Sequence, residues 1–281
     1  MNPSNTYQND AKQVFKKCGT CSRTFAYLLD REFGHPKENE ERAIDPLAGG
    51  IMQKGQQCGM IWGAVLAAGA ESYRTYKNSE KAMTSAILAS QNIITSFKKR
   101  TNTVNCRDIT GCDLDSFFGM TTFMLKTFIK GMDNSTCFNL TEQWAPEAIQ
   151  AAKDGVLLNQ SDEAQQAISC ASNVAQKMGA SEEESVMVAG FAGGLGLSGN
   201  GCGALSAAIW MRSLDWVRQH PGKSAYKNPN AKTVLKRFFE ITDSEILCRK
   251  ISGKQFNTIN EHSEFVKKGG CHSLINQLAE V

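Results

Sequence analysis

Two stretches of the 281-residue chain carry the same arrangement of glycines around a cysteine: LAGGIMQKGQQCG at residues 47–59 and FAGGLGLSGNGCG at residues 191–203. When they are aligned on Cys58 and Cys202, glycines coincide nine, eight and three positions before the cysteine and one position after it. Mostly small and apolar residues follow in both. A shared pattern of this length predicts an internal duplication in which each copy is one structural unit.

A second pair of strings extends the similarity. CRDITG at residues 106–111 corresponds to CRKISG at residues 248–253, and the two strings begin 48 and 46 positions after Cys58 and Cys202. Because both the strings and their separations agree, the two halves are expected to share one fold.

Each half contains four cysteines in the same order. The matched pairs are Cys21 with Cys170, Cys58 with Cys202, Cys106 with Cys248, and Cys137 with Cys271. Cys18 and Cys112 occur only in the first half. We predict two tandem homologous domains, residues 1–148 and 149–281, each of an ordinary domain size.

Apolar residues recur at helical spacing, and the alternation typical of strands is scarce. This periodicity predicts helices over residues 10–31, 80–99, 117–130, 161–178, 181–191 and 233–240. Ser181 and Glu184 form a candidate capping box. A glycine-rich loop is expected before the helix that begins near each of Cys58 and Cys202. The predicted fold is mostly α, with about five helices in each half and the two halves forming a pseudo-dimer.

Charge and hydropathy argue against two kinds of partner. The net charge of +3 and the lack of a basic tail do not favour nucleic acid. Residues 186–211 are uncharged, but their seven glycines predict two buried helix ends joined by a loop rather than a membrane span. The first ten residues are polar and show no secretory signal, so we expect a cytoplasmic protein with reduced cysteines.

Four cysteines per half match the ligand count of an iron–sulfur cluster and also that of an all-cysteine zinc site. Structural zinc sites use closely spaced cysteine pairs, whereas the matched cysteines here are separated by 23 to 48 positions. We therefore expect the eight matched cysteines to ligate one or two [4Fe–4S] or [2Fe–2S] clusters per chain. The predicted function is electron transfer, and a catalysed oxidoreductase reaction is left open.

Residues beside the matched cysteines are candidate cofactor contacts. Glycines allow the backbone to approach a bulky group closely. An arginine directly after a cysteine could offset thiolate charge or donate to cluster sulfide, although a surface salt bridge explains it equally well. The candidates are Gly55, Gly59, Gly199, Gly203, Arg107 and Arg249.

Four alternatives remain open from the residues alone. In a thiol–disulfide oxidoreductase, Cys58 and Cys202 would be the attacking thiolates. In a structural protein, the same cysteines would bind zinc or another soft metal. The cysteines could also be buried apolar residues or form disulfides. The four histidines do not recur between the halves, so we expect them to be surface or hydrogen-bonded residues.

The loop before Cys58, and the string GCGA at residues 201–204, resemble the C-GCAxxG-C-C family of redox-active proteins. The family pattern is an early cysteine, a Gly-Cys-Ala-like motif and two separated cysteines, and both halves follow that order. Gly59 and Gly203 stand where the motif has alanine, and Gln57 replaces the glycine before the first motif cysteine. The resemblance implies a redox role and names no substrate.

A related domain occurs in split-Soret cytochromes, which carry haem and an iron–sulfur cluster. The sequence has no Cys-x-x-Cys-His string for haem attachment, so this resemblance implies only the cluster. A redox partner protein is expected from such a role. A homodimer is also expected, since an internal duplication often extends a symmetric dimer.

Overall fold

Helices make up nearly all of the regular structure of the protein. The computed structural model describes residues 9–158 and 167–281, and within them it has two isolated β-bridges and no strand. The first half contains α1 (Ala11–Cys18), α2 (Cys21–Glu32), α3 (Glu38–Ala43), α4 (Gly59–Tyr76), α5 (Ser79–Thr101), α6 (Cys106–Thr110), α7 (Phe117–Lys130) and α8 (Thr136–Val156). The second half contains α9 (Cys170–Lys177), α10 (Glu182–Met187), α11 (Gly203–Gln219), α12 (Pro229–Thr242), α13 (Cys248–Ile251), α14 (Ile259–Lys267) and α15 (His272–Ala279). The mostly-α prediction is confirmed.

The single helix expected over residues 10–31 is two helices, α1 and α2. Gly19 ends α1 in the left-handed conformation, with φ of +82°. The side chain of Thr20 then caps α2 by accepting a hydrogen bond from the backbone N–H of Arg23. A left-handed glycine followed by a capping threonine breaks the helix even though the apolar spacing continues.

The sequence predicts a helix over residues 161–178, and the first residues of that range lie outside the described residues. The described helix α9 begins at Cys170, behind the capping side chain of Ser169. Ser181 and Glu184 form both bonds of the expected capping box at the start of α10.

The uncharged stretch at residues 186–211 forms two helix ends and the glycine-rich loop between them, as expected. Helix α10 ends at Met187, a 3-10 turn follows at Ala189–Phe191, and α11 begins at Gly203 after the glycine-rich loop. In the described parts of the chain, no helix is both long enough and apolar enough to cross a membrane.

The two halves exchange contacts reciprocally. Helix α4 packs on α10 and on the turn at Ala189–Phe191, while α11 packs on α3 and on the turn at Asp45–Leu47. The Trp62 ring meets the Phe191 ring edge-on at 4.9 Å, and Trp210 Nε1 donates to the Glu40 carbonyl at 3.2 Å. Such reciprocity is typical of a two-fold interface, and one apolar core runs through both halves.

The domain boundary expected at residue 148 falls inside α8. Its exact position stays a prediction.

Candidate functional site

All eight matched cysteines lie at helix N-termini, either as the residue before the helix or in its first turn. Cys21, Cys106, Cys170 and Cys248 are the first residues of α2, α6, α9 and α13, Cys137 is the second residue of α8, and Cys58, Cys202 and Cys271 directly precede α4, α11 and α15. The first turn of a helix leaves backbone N–H groups unpaired and carries a positive partial charge. This placement favours negative charge on sulfur.

Backbone hydrogen bonds join the segments that contain the second and third matched cysteines of each half. The N–H of Cys58 donates to the Val104 carbonyl at 2.8 Å, and the N–H of Cys106 donates to the Gln56 carbonyl at 2.7 Å. The second half repeats both bonds, from Cys202 to Ile246 at 2.9 Å and from Cys248 to Asn200 at 2.6 Å. The glycine loop therefore fixes one cysteine beside the other, which explains why the two sequence motifs recur together.

In the first half, the four matched thiols lie near enough to influence one another's pKa values. The interaction between the Cys21 and Cys58 thiols lowers the pKa of Cys21 and raises the pKa of Cys58. Burial raises the pKa of Cys137 to about 12, and it also raises the pKa of Cys106. The charge of Cys21 contributes to both of these increases. A Cβ on Gly59 would lie 2.6 Å from the Cys21 sulfur, so the backbone of α4 approaches this thiol closely.

In the second half, the four matched cysteines line one narrow cavity. Cys170, Cys202, Cys248 and Cys271 surround it, and the space left between them admits about one water molecule. Burial raises the pKa of Cys170 and of Cys202 to about 12, and it raises the pKa of Cys248 and Cys271 too. Burial removes water from these sulfurs and so disfavours their thiolate forms. A thiolate at this site would therefore need stabilisation by the helix N-termini around it.

One residue that lines this cavity could not be identified as a site residue from the sequence. His262 lies 2% exposed on α14 and lines the cavity with Phe256 and Phe265. Burial lowers its pKa to about 4, and its Nδ1 lies 3.1 Å from the Ile168 carbonyl, so the neutral ring donates there. Because His262 has no counterpart in the first half, the repeat gave no signal for it.

The unmatched cysteines differ in position. Cys112 is buried beside Cys106 and Leu114, and Lys126 Nζ donates to its sulfur at 3.6 Å. Cys18 is buried at the end of α1, where burial raises its pKa to about 11 and the strongest charges acting on it belong to Arg23 and Glu41. The first site therefore has a fifth thiol nearby, and that thiol is Cys112.

The second half helps to cover the first site. Asp45 is completely buried, and its carboxylate accepts hydrogen bonds from Thr20 Oγ1 at 2.6 Å and from Ser224 Oγ at 2.8 Å. Tyr226, two residues on, has its hydroxyl bonded to Gln53 of the first glycine loop. Burial raises the Tyr226 pKa, and the charge of Cys21 contributes to that rise.

The candidate glycines and arginines fit together as matched pairs. The backbone N–H of Arg107 donates to the Gly55 carbonyl at 3.2 Å, and a Cβ on Gly55 would lie 2.9 Å from the Arg107 Cβ. Arg249 and Gly199 repeat this contact, with an N–H to carbonyl distance of 3.0 Å. The guanidinium groups bond to Asp113 and Asn200 at the surface. A cofactor contact by these residues stays a prediction.

Gly203 has a packing role at the start of α11. A Cβ at this position would lie 1.8 Å from the Phe191 carbonyl oxygen. This contact explains why glycine stands here where the family motif has alanine.

All ten cysteines are free thiols. Among the side chains of residues 9–158 and 167–281, no three His, Cys, Asp or Glu groups are arranged to hold a metal ion directly.

The comparisons with known proteins agree with the repeat. The family model described as "Putative redox-active protein (C_GCAxxG_C_C)" matches residues 19–151 and, a second time, residues 164–281. Neither the curated proteins nor the solved structures contain a match to the chain. The two family segments cover most of the chain and each contains four of the matched cysteines, so the chain belongs to the C-GCAxxG-C-C family of redox-active proteins, with two copies in tandem.

Proposed function

We propose that each half binds an iron–sulfur cluster through its four matched cysteines and that the protein transfers electrons. The observation that carries this proposal is the placement of four matched cysteines at four helix N-termini in each half, those of the second half lining one cavity. Four cysteine thiolates are the usual ligand set of such clusters. When bound, a cluster of this kind would accept and release single electrons.

A cluster and a single zinc ion place different demands on the four thiols of a site. Four zinc ligands bind one atom at about 2.3 Å each, so their sulfurs must meet around a point. In a [4Fe–4S] cluster, each cysteine binds a different iron, so the sulfurs stand farther apart. The described side chains form no group that holds one ion directly, although the four thiols of the second half share a cavity.

The protein's own residues would tune such a site. Backbone N–H groups at the helix N-termini offset thiolate charge, and the apolar walls formed by Ile251, Phe256 and Val266 exclude water from the second site. Burial and hydrogen bonds to sulfur set the reduction potential of iron–sulfur centres. Since the cavity is narrow, we expect the thiols of the second site to move apart on loading.

The test is absorption and electron paramagnetic resonance spectroscopy of protein isolated anaerobically and reconstituted with iron and sulfide. The proposal predicts visible sulfur-to-iron charge-transfer bands that bleach reversibly with dithionite. A colourless protein that binds zinc without sulfide would contradict it.

A second candidate function is thiol–disulfide exchange at Cys21 and Cys58. The interaction between their thiols favours Cys21 as the thiolate and Cys58 as its proton-bearing partner. Cys21 would attack a substrate disulfide and release one substrate thiolate, which takes up a proton. Cys58 would then lose its proton and attack the Cys21 sulfur, releasing the second substrate thiolate and leaving a Cys21–Cys58 disulfide.

Timed alkylation of reduced, metal-free protein with iodoacetamide tests this candidate. Peptide mass spectrometry should show Cys21 modified before Cys170, its counterpart in the second half. The Cys58→Ala variant should slow the modification of Cys21, while Cys202→Ala leaves it unchanged. Equal rates at Cys21 and Cys170 would contradict a specialised dithiol.

A further inference from the structure

Helix α7 carries an uncovered apolar stripe on its outer face. None of its residues is buried, and Phe117, Phe118 and Phe128 are 81%, 82% and 84% exposed. At 100° per residue, these three lie with Met124, Leu125 and Ile129 inside an arc of about 140°. We call these six residues the α7 stripe. A monomeric protein rarely exposes so many large apolar side chains together.

The corresponding helix of the second half has no such stripe. Helix α14 also lies between the third and fourth matched cysteines, and it buries Ile259, His262 and Val266. The inner face of α7 does pack, because Met120 and Phe123 contact the cluster of Cys106, Cys112 and Leu114. The stripe is therefore a separate surface on the side of α7 that faces away from the first thiol site.

We propose that the α7 stripe binds the α7 stripe of a second copy of this chain, so that the protein forms a two-fold symmetric homodimer. The proposal goes beyond the redox function and does not depend on it. The stripe is a continuous helical face that can pair with itself in an antiparallel arrangement. Thr121 lies in the middle of the arc, where a small side chain lets two helices approach.

The area fits this occupant. Large aromatic side chains bury about 150–250 Å² each, so the three phenylalanines and the neighbouring apolar residues offer on the order of 800 Å². A stable interface needs about 800 Å² from each partner. One α7 stripe is therefore about one half of a standard interface.

The charges also fit a second copy better than a lipid surface. No charged residue lies in the arc, so two identical stripes meet without repulsion. Lys126 and Lys130, the charged residues of α7, lie on the opposite side of the helix, and the Lys126 amine donates to Cys112. A helix that binds an anionic membrane needs its cations beside the apolar face, where they reach the headgroups.

Pairing at the stripe would also hold α7 against its own thiol site. Since Met120, Phe123 and Lys126 cover Cys106 and Cys112, a paired α7 should open less often. Alkylation of Cys112 should therefore slow as the protein concentration rises through the dimerisation range.

Sedimentation equilibrium of the reduced full-length chain tests the proposal. We expect a mass of twice 30.7 kDa. The double variant Phe118→Ser/Phe128→Ser should dimerise at least roughly 100-fold more weakly, because it removes two large anchors from each copy. The matched control is Leu157→Ser, which changes an apolar residue that is 70% exposed outside the stripe and should leave the dimer intact.

Three results would overturn the proposal. One is a wild-type chain that stays monomeric at all concentrations. Another is a dimer that persists unchanged in the stripe variant. The third is a monomer that sediments with phosphatidylcholine–phosphatidylserine vesicles, which would assign the stripe to a lipid surface.

Discussion

The side chain of Gln57 accepts a hydrogen bond from the backbone N–H of Gly201, the residue that occupies the same position in the other half. The distance is 3.1 Å, and the Gln57 amide also donates to the Gly194 carbonyl at 3.0 Å. The two glycine loops therefore meet at these equivalent positions, and only one of them has room for a side chain. Gln57 departs from the family motif because it fastens one loop to the other.

Replacing Gln57 by alanine should destabilise the protein. The change leaves the Gly201 N–H and the Gly194 carbonyl with fewer partners in a buried place, which typically costs about 1–3 kcal/mol. Urea unfolding of the reduced, metal-free protein measures the loss. The control is Gln56→Ala, since Gln56 uses its backbone rather than its side chain in the loop contacts. Equal losses in the two variants would contradict the role of the Gln57 side chain.

Gly201→Ala should also be destabilising, and its effect should depend on Gln57. A Cβ on Gly201 would lie 2.6 Å from the Gln57 Oε1 and 2.6 Å from the Ile51 Cδ1. In a Gln57→Gly background, one of these two contacts is gone, so the same substitution should cost less. A double-mutant cycle should give a coupling of roughly 0.5–3 kcal/mol. Strictly additive effects would show that the two residues do not meet.

Asp45→Ala should be among the more damaging substitutions at the boundary between the halves. It leaves the hydroxyls of Thr20 and Ser224 without their buried acceptor, and a loss of about 3–4 kcal/mol is expected. The control Asp115→Ala removes an exposed ion pair with Lys54 and should have little effect. Because Thr20 caps the helix that begins with Cys21, the Asp45 variant should also speed alkylation of Cys21. Unchanged alkylation would argue against this link.

Asp30 should make the protein less stable as the pH rises. Burial, together with the nearby Glu41 charge, raises the pKa of Asp30 well above its usual value, and its Oδ1 has no hydrogen-bond partner. Below about pH 4 the carboxyl is neutral in both the folded and the unfolded chain. At higher pH the carboxyl ionises first in the unfolded chain, which lowers the free energy of the unfolded state relative to the folded state. Asp30→Asn should therefore stabilise the protein at pH 7, by on the order of 1 kcal/mol.

The comparison that isolates Asp30 is the pH dependence of the variant against the wild type. The gain in free energy of unfolding should shrink as the pH falls toward 4. Asp10→Asn should behave in the opposite way, because the hydrogen bond from Arg31 lowers the pKa of Asp10. The Asp10 carboxylate thus stabilises the fold at neutral pH, and that stabilisation is lost in acid. A pH-independent effect of Asp30→Asn would contradict the assignment.

Much of the fold follows from local patterns in the sequence. The long helix α5 and the exposed helix α7 show helical spacing, and the glycine loops recur because each holds the N–H groups of Cys58 or Cys202 against a neighbouring segment. The break between α1 and α2 was missed because the apolar spacing continues across Gly19.

The candidate site was less accessible to sequence reasoning because its covering residues come from elsewhere. His262 reaches the second cavity from α14, and Tyr226 comes to the first glycine loop from the opposite half. His262 does not repeat between the halves. Tyr226 recurs as Tyr76, in a Tyr-Lys-Asn string before a helix in each half, but that string contains no cysteine. Periodicity also predicts an amphipathic α7 without telling which side of it meets the core. These features depend on how the helices pack, which a repeat pattern does not encode.

The most direct test of two equivalent cluster sites is the iron and acid-labile sulfide content per chain after anaerobic reconstitution. The wild type should carry iron and sulfide in similar amounts. Cys58→Ser and Cys202→Ser should each lose about half, since each removes a ligand from one four-cysteine set. The double variant should lose nearly all. Wild-type protein without iron and sulfide, or single variants that retain the full content, would contradict the proposal.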